Sequence, residues 1–179
     1  MNLGSPLSVG WLQDANEAPD LALFFVRNVS PEYISHSELQ GPRTDGLGKW
    51  NTGLVDIVRN QIEHGVRSGT GIVSKDVDSC PVLVARQDNQ VIGLGMVSIF
   101  PRAPVPYAVI EDLVVDQKNR HAGIGQSLLE WIVDKTRAVG CERLFLESGI
   151  ENESAHQFFK RYGFSTCSVV MMKPLTSQP

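Results

Sequence analysis

The chain has 179 residues, of which 42% are hydrophobic and 20% are charged. We expect one globular domain, 1–179, that is long enough to bury a core. The 16 basic and 20 acidic residues give a net charge of −4. This balance argues against a general nucleic-acid-binding protein, because that class normally carries a basic face.

The cysteines and the N-terminus bear on where the protein works. Cys80, Cys141 and Cys167 are widely spaced and form no CxxC pair, so reduced thiols in a cytoplasmic protein are the simplest interpretation. The opening MNLGSPLSVG has no basic segment and no long apolar run, and we expect no signal peptide. The run LALFFV is far too short to span a bilayer, so we expect no membrane partner.

Residues 1–80 are predicted to hold a strand, two helices and two loops. A first strand covers Leu7–Gln13, and apolar residues at helical spacing predict helices over Asp20–Val29 and Thr52–Val66. Between the helices, Tyr33–Trp50 is rich in Gly, Ser, Pro and polar residues. This composition indicates a long, partly irregular loop of a kind that is often functional. A second loop, GTGIVSKDVDSCP, follows the second helix.

From Pro81 the pattern changes to strands. PVLVARQDNQVIGLGMVSIF holds two apolar, β-branched runs joined by QDNQ, which predicts a β-hairpin whose turn is not of the tightest kind. Ala108–Asp116 is a third run. Ile124–Val139 carries the clearest helical stripe, and Gly140 is placed to end that helix.

The last part of the chain continues this alternation. RLFLES is a fourth apolar run, Glu153–Tyr162 is predicted to be a short helix ended by Gly163, and VVMMKPL is predicted to form a last strand. Strands that alternate with helices in this way predict an α/β fold with a mixed sheet and helices on both faces.

The stretch NRHAGIGQSLL joins the third apolar run to the best helix, and three chemistries use a glycine-rich turn in this place. The dinucleotide fingerprint G-x-G-x-x-G is broken because Leu128 stands at its third glycine. The phosphate loop of nucleotide hydrolases needs Gly-Lys, but Gln126 follows Gly125. The third chemistry is a shorter turn, Arg-x-x-Gly-x-Gly, that binds a pyrophosphate.

The third possibility depends on the backbone N–H groups at the start of the helix. The first N–H groups of a helix have no partner and carry a partial positive charge, which suits a pyrophosphate. Gly123 and Gly125 have no Cβ atoms to keep the phosphates away, and Arg120 adds a formal charge. The alternative is that the glycines merely make a tight connection between strand and helix.

Two longer segments resemble the GNAT superfamily of N-acetyltransferases, enzymes that move an acetyl group from acetyl-CoA to an amine. They are IEDLVVDQKNRHAGIGQSLL and RLFLESGIENESAHQFFKRYGF. The matching motifs are L-x-V on a strand, R-x-x-G-x-G opening a helix, and N-x-x-A-x-x-F-F-x-x-x-G-F. The resemblance covers Val82–Lys173. It implies the GNAT fold, in which a mostly antiparallel central sheet has a splayed strand pair at the CoA site.

The resemblance also implies different roles for the two parts of the chain. Residues 81–175 would form the acetyl-CoA-binding core, and residues 1–80 would supply N-terminal helices and a loop over the acceptor site. The residues expected to contact the pantetheine arm, the acetyl group or the pyrophosphate are Leu113, Val114, Val115, Arg120, His121, Ala122, Gly123, Ile124, Gly125, Gln126, Ser127, Asn152, Ala155 and Phe159. For Ala155 and Phe159 the alternative is an apolar helix face packed on the sheet.

Glu111 is the candidate general base. It lies two residues before Leu113, which predicts the same face of the strand, whereas Asp112 is predicted to point the opposite way. IEDLVV is similar to the corresponding strand in the polyamine-acetylating branch of the family, where a glutamate in this place is proposed as the base. The alternative is a carboxylate at the end of a strand in solvent. The backbone N–H of Val114 or Val115 is expected to stabilise the oxyanion.

A general acid is harder to assign. Many members of the family have a tyrosine where this chain has Phe159, which has no hydroxyl group. Tyr162 and Ser148 are the candidate replacements, and Tyr162 is alternatively a core residue. The thiolate could also leave without an acid, because a free thiol has a pKa of about 8.5.

The remaining expectations concern the acceptor and the partners. Tyr33, His36 and Glu38 are candidate acceptor contacts, although each could simply satisfy the backbone of its loop. The histidines have no spacing typical of metal ligands, so we expect no metal. Relatives often pair through C-terminal strands, which implies a homodimer. The alternative function is a CoA-binding regulatory module without turnover, which Phe159 favours and Glu111 counts against. A nucleotide hydrolase or dehydrogenase is disfavoured by the missing lysine and third glycine.

Overall fold

The computed structural model describes residues 6–68 and 74–175. The predicted loop GTGIVSKDVDSCP begins at Gly69, so its first part, 69–73, lies outside the described residues. In chain order the strands are β1 (Ser8–Trp11), β2 (Thr44–Gly46), β3 (Lys49–Trp50), β4 (Val82–Gln87), β5 (Gln90–Phe100), β6 (Tyr107–Val115) and β7 (Arg143–Leu146). The α-helices are α1 (Ala18–Asn28), α2 (His36–Gln40), α3 (Leu54–Ser68), α4 (Ile124–Ala138) and α5 (Glu153–Arg161).

The main sheet has five strands in the order β1-β4-β5-β6-β7. The first three neighbouring pairs are antiparallel, and only β6 and β7 run parallel. The parallel pair is joined through α4, as a crossover connection requires. The predicted mixed α/β sheet, mostly antiparallel, is therefore confirmed.

Both faces of the sheet are covered by helices, as predicted. One apolar cluster joins α1 and α3 to residues such as Val84, Met96 and Val114. The other joins α4 to the opposite face, and the predicted stripe Ile124, Leu128, Ile132 and Thr136 is buried throughout. Gly140 follows the helix with a φ of +94°, where glycine carries no Cβ penalty. The aromatic residues of α5 also pack on this second cluster.

The β4–β5 hairpin is tighter than its sequence predicted. Asp88 and Asn89 have φ angles of 51° and 62° and form a two-residue turn between the strands. Positive φ at both central positions is typical of a type I′ turn, whose twist matches that of the strands. Asp and Asn tolerate this conformation better than most residues, so the missing glycine did not exclude the tight turn.

Residues 33–50 hold more regular structure than the predicted loop. Helix α2 begins with a capping box, in which Ser35 and Glu38 each satisfy an unpaired backbone N–H of the first turn. The β2–β3 pair then forms a small hairpin. The pattern Ser-x-x-Glu is a helix-start signal, and it lies in SHSE, where the polar composition concealed it.

The predicted last strand, VVMMKPL, is wrong. Residues 165–175 form no strand, and Val169 and Met171 are 78% and 92% exposed. Apolar and β-branched residues fit a strand only when a neighbouring strand pairs with them. Here β7 remains the edge of the sheet.

The end of β7 lies against the chain that follows α1. A Cβ atom added at Gly149 would lie 2.5 Å from the carbonyl oxygen of Ile34, and closer still to that of Glu32. Gly149 is itself buried. Only a residue without a side chain therefore allows this close approach of two backbones.

We expect Gly149→Ala to lower the free energy of unfolding by about 1–3 kcal/mol, because the added methyl group must push two backbone carbonyls apart. Gly10→Ala is the matched control, since nothing lies within 4 Å of a Cβ atom at that position. It should leave stability unchanged or raise it slightly. Urea unfolding measures both variants, and a Gly149→Ala protein as stable as the wild type would contradict the close approach.

Candidate active site

The strands β6 and β7 separate partway along their length. They pair only from Tyr107 to Ile110 on β6, with Arg143–Leu146 on β7. Beyond Ile110, β6 continues to Val115 without this partner. A cleft of about 760 Å³ occupies the opening and extends to the start of α4 and the inner side of α5. The splayed strand pair implied by the resemblance is thus present.

Most of the residues predicted for the site line this cleft. They are Tyr33, Glu111, Leu113, Val114, Val115, Arg120, His121, Gly123, Gly125, Gln126, Ser148, Asn152, Ala155, Phe159 and Tyr162. Five predicted residues are not part of its lining: His36, Glu38, Ala122, Ile124 and Ser127. Ile124 is buried in the core beneath α4, and the Ser127 hydroxyl donates to the carbonyl oxygen of Gly123 at 3.3 Å.

A β-bulge at Glu111 changes which way the side chains point. Met96 pairs with Asp112 and Val97 pairs with Ile110, so Glu111 is an extra residue in β6. Ile110 and Leu113 consequently both pack on the α4 side of the sheet. Glu111 instead lies near Ser98, which lowers the pKa of its carboxyl group and whose strand neighbours Val97 and Ile99 face α4. The predicted shared face of Glu111 and Leu113 is therefore wrong.

Asp112 also departs from its predicted direction. It was expected to point away from Glu111, but its carboxylate lies on the α1–α3 side, where Arg43 holds it beside Met96. The inserted residue breaks the strict alternation of a strand at this point. The two neighbouring carboxylates therefore lie on the same side of the sheet.

The backbone amides of β6 alternate between β5 and the cleft. Asp116 N donates to the carbonyl oxygen of Ile92 at 3.0 Å, which marks that pair as hydrogen-bonded. By the alternation of an antiparallel ladder, the Val114 amide also points to β5, and the amides of Leu113 and Val115 point into the opening. Of the two predicted oxyanion donors, Val114 is therefore wrong, and only Val115 faces the cleft.

The start of α4 presents unpaired backbone N–H groups. Gly123 is the N-cap with a φ of +82°, and it has no side chain to cap the helix. Ser127 N donates to Gly123 O, so the N–H groups of the three residues between them have no acceptor within the helix. These groups and the helix dipole fit a pyrophosphate.

Arg120 is tied to the end of α1. Its Nη2 atom donates to the carbonyl oxygen of Asn28 at 2.7 Å, and the Asn28 side chain accepts from Gln117 N at 2.9 Å. The guanidinium therefore has a structural role as well as a position on the rim of the cleft.

Glu111 lies between the cleft and a smaller side cavity of about 220 Å³. Burial raises the pKa of Glu111; the Asp112 carboxylate acts in the same direction, while Ser98 and Arg43 oppose it. A carboxylate whose pKa lies closer to neutrality is a better general base at working pH. The site thus places such a group beside the opening between β6 and β7.

A buried cluster of polar side chains surrounds Asp112, the neighbour of Glu111. At its centre is Arg43, which the sequence analysis missed. Two guanidinium nitrogens of Arg43 each donate to an oxygen of Asp112 at 2.8 Å. Asp112 is 1% exposed. The Tyr33 hydroxyl donates to Asp112 Oδ1 at 3.1 Å. No local motif marked Arg43, because its partner lies 69 residues later.

Glu38 belongs to this cluster and not to an acceptor surface. It is 6% exposed, accepts from Ser35 N at 2.8 Å and lies 3.7 Å from Arg43. Its predicted contact with substrate is therefore wrong. His36 is exposed beside Glu147, with 3.6 Å between Nδ1 and Oε2.

Glu147 is a second residue that the sequence analysis missed. It lines both cavities, and Ser37 donates to its Oε2 atom from N and Oγ, at 3.1 and 2.6 Å. Burial alone would raise the pKa of Glu147, but the Ser37 hydrogen bonds and the nearby His36 bring it below its ordinary value. It therefore stays a carboxylate. Its position directly after RLFL, at the end of a strand, was the available signal.

The two candidate acids both reach the cleft. Ser148 Oγ is buried, and it has no hydrogen-bond partner in the part of the chain that the structure describes. Tyr162 is 37% exposed, and its ring packs on Phe158 at 4.9 Å. Phe159 packs against Phe158 and Phe164. Ser148 and Tyr162 thus both line the cleft, and each carries the hydroxyl group that Phe159 lacks.

Two features are absent from residues 6–68 and 74–175. No group of three or more His, Cys, Asp or Glu side chains in these ranges could hold a metal ion. No helix in them is long and apolar enough to cross a membrane.

Comparison with known proteins gives sequence relatives and structural neighbours. Over 83 residues the chain is 32% identical to the IAA acetyltransferase of Azospirillum brasilense, which covers 46% of this chain and 53% of that protein. Over 151 residues it is 24% identical to the amino-acid acetyltransferase of Pseudomonas aeruginosa strain LESB58, which covers 83% of this chain and 33% of that protein. The chain thus spans about half and one third of the length of these relatives.

A solved structure matches almost the whole fold. An aminoglycoside N-acetyltransferase, AAC(6')-Iy in complex with CoA, superposes with a TM-score of 0.67 over 97% of both chains at 14% identity. At this identity the match concerns the fold alone. The sequence pattern of the Acetyltransferase (GNAT) family matches residues 49–164, well over half of the chain and including the turn, the cleft strands and α5. The chain therefore belongs to the GNAT family of acetyltransferases.

Proposed function

We propose that this protein is an N-acetyltransferase that moves an acetyl group from acetyl-CoA to a primary amine of a small molecule or a protein. The amine attacks directly while both substrates are bound. The observation that carries the proposal is the opening between β6 and β7, where the amides of Leu113 and Val115 face a cleft that extends to the uncapped start of α4. Family membership supports the same activity.

Different residues of the cleft suit successive parts of the acetyl-CoA molecule. The N–H groups at the start of α4 would bind the pyrophosphate, with His121 and Gln126 at the rim. The Leu113 and Val115 amides would bind the pantetheine arm and the acetyl carbonyl. Asn152, Ala155 and Phe159 would line the other side of the arm. Acetyl-CoA supplies an activated thioester, and no metal is part of the proposal.

The acceptor would enter by the side cavity, where Glu111 and Glu147 face Ser35 and Ser37. Glu111 would take a proton from the ammonium group, directly or through a water molecule, and leave a neutral amine. An amide of β6 would stabilise the charge that develops on the carbonyl oxygen. Ser148 or Tyr162 would donate a proton to the sulfur as the carbon–sulfur bond breaks, and the second proton that the nitrogen loses in forming the amide would replace it. Tyr33 and His36 remain proposed acceptor contacts.

The second candidate is a CoA-binding regulatory module with weak turnover. Phe159 favours it, because the ring packs against Phe158 and Phe164 and offers no proton to the leaving group. The raised pKa of Glu111 favours the enzyme. Surroundings that shift the pKa of a carboxyl group are typical of functional sites and not of a carboxylate in open solvent. Release of CoA from acetyl-CoA with a panel of amines separates the two.

We also propose a cytoplasmic homodimer. The free cysteines fit a reducing compartment. Val169, Met171 and Leu175 are 78%, 92% and 91% exposed in one protomer, and a partner would remove this apolar surface from water. β7 forms one edge of the main sheet, and it is the edge strand that lies nearest to this apolar segment along the chain.

We expect Gly123→Asp to weaken acetyl-CoA binding at least tenfold, because a carboxylate at the start of α4 repels the pyrophosphate. Gly140→Asp is the matched control: it is also a glycine with positive φ, +94°, open space around its Cβ position and a place at the other end of α4. Calorimetric titration with acetyl-CoA measures both. Equal losses in the two variants would contradict the assigned pyrophosphate site.

We expect Glu111→Gln to lower kcat about 100- to 10,000-fold in the amine assay. Glu111 works only when deprotonated, so the wild-type rate should rise with pH through its raised pKa, and the variant should lose this limb. Glu151→Gln, a change of another carboxylate in the cleft lining, serves as the control. A variant that keeps the wild-type rate and pH limb would exclude Glu111 as the base.

We expect light scattering to report a dimer for the wild type and a monomer for the double variant Val169→Glu, Met171→Glu, because buried glutamates would oppose association. Leu47→Glu is the control, since Leu47 is 71% exposed in the β2–β3 turn. A monomeric wild-type protein would overturn the proposed dimer.

A further inference from the structure

The Tyr33 hydroxyl holds a backbone amide that acetyl transfer would need. It accepts a hydrogen bond from Leu113 N at 3.2 Å. Leu113 is one of the two residues of β6 whose N–H points into the opening. Tyr33 also lines the cleft. The hydroxyl therefore stands where a carbonyl oxygen bound to Leu113 would lie.

The orientation of this hydroxyl is fixed by its other contact. A carboxylate only accepts hydrogen bonds, so the single proton of the Tyr33 hydroxyl is directed to Asp112 Oδ1 at 3.1 Å. Arg43 holds that carboxylate with two hydrogen bonds of 2.8 Å. A lone pair of the Tyr33 oxygen is left for the Leu113 amide. The ring is held between Phe25 and Trp50, with centroids 5.9 and 6.3 Å away.

The same surroundings exclude Tyr33 as the missing general acid. Burial and the Asp112 charge raise its pKa well above the ordinary value of a tyrosine. A thiol has a pKa of about 8.5, so a proton transfer from Tyr33 to a thiolate would be uphill. Its proton is also already donated to Asp112. The hydroxyl thus acts in the cleft as a hydrogen-bond acceptor.

We propose that the Tyr33 hydroxyl competes with the thioester carbonyl for the Leu113 amide and so makes the cleft discriminate between acetyl-CoA and CoA. The inference rests on the proposed acetyl-CoA site. Acetyl-CoA must displace the hydroxyl from Leu113 N to place its carbonyl there. CoA has no carbonyl at the sulfur, so it leaves the Tyr33–Leu113 hydrogen bond intact. Tyr33 therefore weakens the binding of acetyl-CoA and leaves that of CoA unchanged.

The competition has a consequence for turnover. Once the acetyl group has left the sulfur, no ligand oxygen remains at Leu113, and the Tyr33 hydroxyl returns to the amide. Bound CoA then gains nothing from this amide, and its release is not slowed by it. Tyr33 thus affects the binding of the acyl group itself, and not that of the nucleotide part of the ligand.

The test is calorimetric titration of the wild type and Tyr33→Phe with acetyl-CoA, CoA and S-ethyl-CoA, a thioether that lacks the carbonyl oxygen. In the variant the Leu113 amide has no competing acceptor. We expect acetyl-CoA to bind about three- to tenfold more tightly than to the wild type, the range of one hydrogen bond. The Kd values of CoA and S-ethyl-CoA should not change.

Tyr107→Phe is the control, because Tyr107 stacks on Phe100 at 4.7 Å and is not part of the cleft lining. It should leave all three Kd values unchanged. A Tyr33→Phe protein with an unaltered ratio of acetyl-CoA to CoA affinity would overturn the inference while the proposed function stands. A shift shared by all three ligands would also overturn it, since that is the result of a general change in the cleft. A wild type that binds none of the three overturns the proposed function and this inference together.

Discussion

The extra residue at Glu111 is the constraint on which the cleft depends. Because β6 gains one residue opposite Met96 and Val97, its side chains change sides at this point. Pairing with β7 ends one residue earlier, at Ile110. The bulge therefore coincides with the place where the strands part. Backbone amides that would pair with a neighbouring strand in a regular sheet instead face the cleft, next to a carboxylate.

The two carboxylates at the bulge have opposite environments. Asp112 is sealed under the sheet and neutralised by Arg43, whereas Glu111 reaches two cavities. If Asp112 lacked its cation, its charge would raise the pKa of Glu111 further, because unit charges a few ångströms apart interact by several kcal/mol at a protein surface. Arg43 thus limits how far the pKa of Glu111 moves. Two neighbouring titratable groups can keep different protonation states within one site when their surroundings differ.

Local patterns predicted the parts of the molecule that depend on local geometry. The stripe of α4, its terminal glycine and the turn before it follow from helical spacing and from φ. The bulge did not follow, because it exists only in relation to β5. Arg43 and Glu147 were missed because their partners, Asp112 and Ser37, are distant in sequence. VVMMKPL was misjudged because its composition fits a strand but says nothing of what would pair with it.

The hydrogen bonds between Arg43 and Asp112 span 69 positions of the chain, and this separation limits how the protein can be divided. A fragment cut at residue 81 would keep the turn, α4 and both cleft strands, yet Asp112 would lose the cation that neutralises it. The same cut would remove α1 and α3, which cover Val84, Met96 and Val114 on the face of the sheet that holds Asp112. Exposing such an apolar face to water is costly enough to unfold a small domain. We therefore expect that residues 82–175 do not fold as a separable module. Arg43 and Asp112 form their hydrogen bonds only when the N-terminal segment is packed on the sheet, so the two parts of the chain stabilise each other.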